Sequence, residues 1–227
     1  YNEMKGAFSS PDEVLEREIM NHLFPDTTYG CESGGDPKNI PDLTYENFLN
    51  FHRTYYHPSN SYIYLYGNMD MEEKLAFLDE HYLSHFDYLD VDSVIQEQKA
   101  FGACQDVTLE YPVAENEGEE DNTYLSYNMV VGNAADSQMA MAFEVLDYAL
   151  LSAPGAPLKQ ALLDVKAGKD VYGSYDDGIL QPYFTVIAKG SNPDRKEEFV
   201  SVIRQVLGDI VKNGIDKKAV EAGIKLL

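Results

Sequence analysis

Hydrophobic residues in the first third of the chain recur mostly at the three- and four-residue spacing of amphipathic helices. Residues 1–9 have helical composition. The run Ser10-Pro11-Asp12-Glu13 predicts the start of a second helix, with Ser as the cap, Pro in the first position and acids in the first turn. Its apolar positions keep a period of 3.6 until Phe24-Pro25-Asp26 ends it.

Two further helices and one strand are predicted before residue 90. Thr44 and Asn47 open the third helix, and residues 71–86 carry an apolar stripe typical of a fourth. Between them, residues 61–66 alternate Tyr with Ile and Leu and end at Gly67-Asn68, which predicts a strand.

The pattern changes after residue 104. Four strands are predicted, over residues 107–113, 123–131, 170–175 and 183–188. Helices are predicted over residues 137–151, from Pro157 through 166, over 193–212 and from 216 onward. Because the paired strands lie too close in sequence for helical crossovers, we expect an α+β fold with layers of helices on a mostly antiparallel sheet.

The organisation of the chain suggests two parts. Residues 1–90 carry one predicted strand among four helices, too little sheet to cover them, so we expect strands from an upstream segment to complete this layer. Residues 91–104 lack periodicity and predict a linker, and residues 105–227 form the second part. Because the first and last predicted helices lack caps, we expect an internal piece of a longer protein.

Composition narrows the classes of partner. The formal net charge of −22 disfavours nucleic acid, whose binding depends on Lys and Arg. No apolar run approaches the roughly 20 residues that span a bilayer, so no membrane partner is expected. Cys31 and Cys104 lie far apart and outside any CxxC motif, which predicts reduced thiols and favours a cytoplasmic location.

Three separated stretches carry a family resemblance. They are Tyr1 to Gly6, Tyr29 through Ser33-Gly34-Gly35-Asp36-Pro37, and Thr44 through Tyr55-Tyr56-His57-Pro58-Ser59-Asn60 to Tyr66-Gly67-Asn68. In this order they resemble the insulinase (pitrilysin) class of zinc metallopeptidases, especially its presequence protease and falcilysin branch. The resemblance is specific up to about residue 71 and weaker from residues 154–158 to the end.

The resemblance implies domains of the kind found in LuxS and mitochondrial processing peptidase. Residues 1–90 would be the C-terminal part of the first, zinc-bearing peptidase domain. Residues 105–227 would be most of the second, non-catalytic peptidase-like domain.

The resemblance also implies a role for Glu3. Enzymes of this class bind zinc through the histidines of an H-x-x-E-H motif, whose Glu is the general base, and through a glutamate on a later helix, where Glu3 falls. Such an ion keeps three protein ligands and a water whose pKa drops to roughly 7. Without the resemblance, Glu3 is an ordinary exposed helix residue. Neither H-x-x-E-H nor H-E-x-x-H occurs in this chain. The chain would therefore supply one ligand to Zn²⁺ and no catalytic residue, and alone it is expected to be inactive.

Other candidate sites have simpler explanations. His81 and His85 have the spacing of one helix face, but Tyr82 and Ser84 leave no adjacent carboxylate as base. Structural roles are preferred for the other histidines, which are His22, His52 and His57.

The remaining candidate sites are two loops and one strand face. Ser33-Gly34-Gly35-Asp36-Pro37 lacks the spacing of a phosphate loop and predicts a turn. Tyr62, Tyr64 and Tyr66 share one strand face, which would line a substrate chamber or, more commonly, pack on helices. The acidic loop 115–121 does not match an EF-hand and is expected to be a solvated hairpin loop.

These expectations combine into one function. The chain would be part of a zinc metalloendopeptidase that hydrolyses unfolded peptides in a closed chamber, with the remaining halves of the parent polypeptide as partners. The alternatives are a non-catalytic peptidase-like scaffold and a stand-alone peptide-binding domain with an acidic surface.

Overall fold

The fold is described from a computed structural model, for residues 1–113 and 118–226. The chain divides into two compact units. The first unit comprises Tyr1–Met4 and Ser33–Gln96, and the second comprises Lys5–Glu32 and Glu97–Leu227. The boundary between Gln96 and Glu97 falls inside the predicted linker. The assignment of residues 1–90 and 105–227 to two peptidase domains stays a prediction.

Helices follow the predicted order. In the residues described, they are α1 (Asn2–Ala7), α2 (Pro11–Leu23), α3 (Tyr45–Tyr55), α4 (Met71–His81), α5 (Ser137–Asp147), α6 (Pro157–Asp164), α7 (Lys196–Asn213) and α8 (Lys217–Ile224). The hydroxyl of Thr44 caps α3 by accepting from the Asn47 amide at 3.1 Å, as predicted. Helix α5 continues directly into a π-helical turn, Tyr148–Ser152.

The sheet lies in the second unit. It consists of β1 (Thr123–Val130), β2 (Asp170–Asp176) and β3 (Tyr183–Ser191), in the order β1-β3-β2 with both pairings antiparallel. The predicted α+β class and the antiparallel sheet are confirmed.

Two apolar clusters hold the sheet between helices. On one face, twelve buried residues join the strands to α6, α7 and the π-helical turn. They include Leu158, Leu162, Val186, Phe199 and Ile203. On the other face, α2 and the residue after it cover the sheet with Ile19 and Phe24, which pack on Tyr183 and Ile187. Because neither strand nor helix can bury its apolar face alone, this three-layer packing stabilises both.

Two predicted strands are wrong. In the part of the chain that the structure describes, no strand pairs with residues 61–66 or 107–113. The run 61–66 still alternates, since the rings of Tyr64 and Tyr66 stack at 6.5 Å and 7°. An extended segment becomes a strand only when a neighbour satisfies its backbone groups, and none of the described residues does so here. In the acidic loop, Glu115 and Glu117 lie outside the described residues.

Candidate functional site

Glu3 lies in the first turn of α1 and is exposed. Within residues 1–113 and 118–226, its carboxylate has no hydrogen-bond or ion-pair partner. A carboxylate near a helix amino terminus is favoured by the helix dipole. The side chain is therefore accessible, and the residues that the structure describes form no ligand set around it.

The glycine-rich turn serves a structural purpose, as predicted. A Cβ on Gly34 would lie 2.5 Å from Sδ of Met4, the residue after Glu3 in α1. Gly35 has a φ of +87°, which a side chain would disfavour. The Asp36 carboxylate accepts from the Lys38 amide at 2.7 Å. The absence of a side chain at Gly34 thus leaves room for Met4, the neighbour of Glu3 in α1.

The histidines do not form a metal centre. Helix α4 ends at His81, whose ring packs on Phe77 at 4.6 Å, and His85 belongs to a separate helical turn. The prediction of one helix through Phe86 is wrong, because Tyr82 leaves the helical conformation, with φ −139° and ψ −65°. The two imidazoles therefore do not share one helix face.

The remaining three histidines make local contacts. Nδ1 of His22 donates to the Glu18 carbonyl at 2.8 Å, and His52 stacks on Tyr56 at 4.7 Å. Nδ1 of His57 accepts from the Ser59 amide at 3.2 Å. Among the residues described, no group of three His, Cys, Asp or Glu side chains is arranged to hold a metal ion. The cysteines, Cys31 and Cys104, are free and exposed.

The first unit exposes its apolar faces. None of residues 33–96 is buried, and the aromatic stripe of α3 includes Phe48 at 68% and Phe51 at 59% exposure. Tyr62, Tyr64 and Tyr66 are exposed at 105%, 84% and 86%. Large apolar side chains exposed in such number are unusual for a monomeric protein.

A polar cluster that sequence analysis missed lies on the second unit. The Asp12 carboxylate accepts from Nζ of Lys189 at 2.7 and 3.0 Å, from Tyr172 Oη at 3.4 Å and from Tyr124 Oη at 3.5 Å. These four residues form the Asp12 cluster. The hydrogen bond to Asp12 raises the pKa of Lys189, and burial raises that of Tyr172. No sequence signal could find this cluster, because α2 and the strands lie more than 100 residues apart.

Comparison with known proteins identifies the family. The family model described as "Peptidase M16 inactive domain" matches residues 42–227. The chain belongs to the peptidase M16 family. The predicted resemblance is confirmed. No helix in the described parts of this M16 chain is long and apolar enough to cross a membrane.

Three curated relatives match nearly all of the M16 chain. "Protein HypA" of Clostridium perfringens is 49% identical over 99% of this chain and 23% of its own length. "Presequence protease 1, chloroplastic/mitochondrial" of Arabidopsis thaliana is 36% identical over 100% of this chain and 21% of its own. "Presequence protease, mitochondrial" of Xenopus laevis is 32% identical over 98% of this chain and 22% of its own length. The chain thus spans between a fifth and a quarter of the length of these relatives.

Solved structures share the fold. The M16 inactive domain from Pseudomonas fluorescens superposes with a TM-score of 0.71, at 20% identity, over 98% of this chain and 53% of that one. An M16-like peptidase from Alicyclobacillus acidocaldarius superposes with a TM-score of 0.63, at 19% identity, over 99% of this chain and 52% of that one. These likenesses concern the fold alone.

Proposed function

We propose that this M16 chain is a segment of a longer zinc metalloendopeptidase that hydrolyses unfolded peptides inside a closed chamber. The observation that carries the proposal is the match to two presequence proteases across at least 98% of this chain but only 21–22% of their length. A segment aligned over nearly all its residues with a peptidase is expected to take the corresponding place in a similar enzyme.

The exposed first unit supports a longer parent. Transferring a large apolar side chain from water to a protein interior contributes about 1.5–3 kcal/mol. Phe48, Phe51 and Tyr64 each leave most of that contribution unrealised in the isolated chain. The remaining polypeptide would cover them, and an added strand would satisfy the backbone of residues 61–66.

In the proposed enzyme, zinc would be held jointly by this chain and by the rest of the parent polypeptide. A catalytic zinc site needs three protein ligands, and the described residues bring no such group together. What the chain offers is the exposed carboxylate of Glu3, which would join two imidazoles from elsewhere in the parent. When bound, zinc would activate the attacking water. The segment itself contributes one negatively charged donor and no acid or base.

The substitution Glu3→Gln in the full-length parent tests this role. We expect loss of zinc from the purified protein and loss of peptide hydrolysis, because a neutral amide is a poor zinc ligand. Glu13→Gln removes an exposed carboxylate from α2 and serves as the control. Unchanged zinc content and hydrolysis in Glu3→Gln would refute the assignment.

A second candidate is a non-catalytic scaffold. The description of the matched family model as an inactive domain favours it for this segment. The upstream sequence of the parent distinguishes the peptidase from the scaffold, because a peptidase needs an intact H-x-x-E-H there and a scaffold does not.

A third alternative is a stand-alone binding module for basic peptides. Its affinity for such peptides would weaken with added salt, which a titration of the chain would measure.

The partners would be unfolded peptide substrates and the rest of the parent polypeptide. Two exposed free thiols support the cytoplasm as the location of this chain.

A further inference from the structure

The two faces of the sheet are packed unequally. The face toward α6 and α7 has twelve buried apolar residues, whereas the face toward α2 has four. Since packing stability scales roughly with buried apolar area, α2 is held less firmly than the helices on the opposite face.

A polar row lies within the weaker face. The strand register places Asn128, Thr185 and Ser174 side by side, between the rows that contain Tyr183 and Ile187. Ser174 and Thr185 satisfy one another through their hydroxyls at 3.2 Å. Oδ1 of Asn128 is buried and has no partner among the described residues. A buried polar atom without a partner weakens an interface, because docking removes its water.

The carboxyl end of α2 is fixed firmly. Phe24 is fully buried and its ring meets Tyr183 edge-on at 6.2 Å. Two residues later, Asp26 exchanges hydrogen bonds with buried Gln98, from its amide at 2.9 Å and to its carboxylate at 2.8 Å. The Gln98 amide in turn donates to the Gln181 side chain at 2.6 Å.

The amino end is attached through the Asp12 cluster and through Leu15, which is partly buried against the apolar cluster of Ile19 and Phe24. The side chains of Asp12 and Lys189 are 51% and 43% exposed. Exposed ion pairs contribute little and weaken with salt. Helix α2 therefore has a hinge at Phe24 and Asp26 and a weak latch at Asp12.

We propose that α2 is a strap that opens from its amino end while the rest of the second unit stays folded. Opening breaks the Asp12 cluster and admits water to Asn128 and Ile187. The hinge at Phe24 keeps the helix attached. This proposal depends on neither zinc nor peptidase activity.

Native-state hydrogen exchange on the 227-residue chain tests the strap, with α7 amides as the core reference. Amides in the amino half of α2 should exchange through local opening, much faster than those near Phe199 in α7, and faster still with added salt. Asp12→Asn should speed α2 exchange by about two- to five-fold. Glu13→Gln is the matched control, because it removes the same charge from the same helical turn without touching the latch.

A second variant acts in the opposite direction. Asn128→Val removes the unpartnered oxygen and adds a residue that suits strands, so α2 exchange should slow by at least about five-fold. Slowing of α2 without slowing of α7 supports the strap. Exchange of α2 at the rate of α7 in the unmodified chain overturns it, and so does equal behaviour of Asp12→Asn and Glu13→Gln.

Discussion

Gly173→Ala should destabilise the second unit, although it adds a single methyl group. Gly173 lies in β2, opposite Val186 of β3. A Cβ there would overlap the backbone carbonyl oxygen of Thr185 and lie 2.6 Å from Cδ1 of Leu151. A side chain can rotate away, but the carbonyl is fixed by the strand, so the backbones must separate.

The magnitude follows from two opposing terms. Overpacking a filled core costs about 1–3 kcal/mol, with the upper end expected against backbone. Replacing Gly by Ala in regular structure gains roughly 0.5–1 kcal/mol from chain entropy. The net effect should be a loss of about 2–2.5 kcal/mol in the free energy of unfolding.

Gly208→Ala is the matched control, because it makes the same chemical change and is expected to have the opposite effect on stability. Gly208 lies inside α7, and a Cβ there would meet no atom within 4 Å. Alanine should therefore stabilise the unit by about 0.5–1 kcal/mol. Urea unfolding followed by circular dichroism would measure both variants. Unfolding of Gly173→Ala at the same or a higher urea concentration than the unmodified chain would contradict the predicted overlap with the Thr185 carbonyl.

Two further predictions concern buried groups. Phe24→Ala should lower the free energy of unfolding by about 3–5 kcal/mol, because Phe24 is fully buried and packs edge-on with Tyr29 and Tyr183. Urea unfolding would measure this loss, and a loss below about 1 kcal/mol would contradict the packing. Burial raises the pKa of Asp147, against an opposing hydrogen bond from Ser152, so its charge disfavours folding as pH rises through the folded-state pKa. Asp147→Asn should therefore be more stable than the unmodified chain at neutral pH and lose that advantage below about pH 4, the ordinary pKa of Asp; a pH-independent difference in urea midpoints would refute the charge effect.

The parts of the fold that sequence analysis predicted are those whose signals are local. The start of α2 at Pro11 and the cap of α3 by Thr44 depend on neighbouring residues, and both were readable. The strand 61–66 has a local pattern too, but a strand needs a partner elsewhere in the polypeptide. The docking of α2 on the sheet was unpredictable, because its contacts join residues more than 100 positions apart.

The candidate site divides in the same way. The absence of H-x-x-E-H and the structural roles of His22 and His57 could be reasoned from sequence neighbours. The Asp12 cluster could not be predicted from the sequence, because a single acidic residue in the first turn of a helix is already explained by its interaction with the helix dipole. The role of Glu3 rests on resemblance and remains a prediction.

The family model begins at residue 42, whereas the hydrophobic core of the second unit begins earlier, at α2. A shortened polypeptide starting at the edge of that match would lack Ile19 and Phe24 and would leave the apolar side chains of Tyr183 and Ile187 in water. It would be expected to aggregate or to bind hydrophobic dyes. A protein engineer who wishes to express this part of the molecule alone should therefore keep the residues from Lys5 onward.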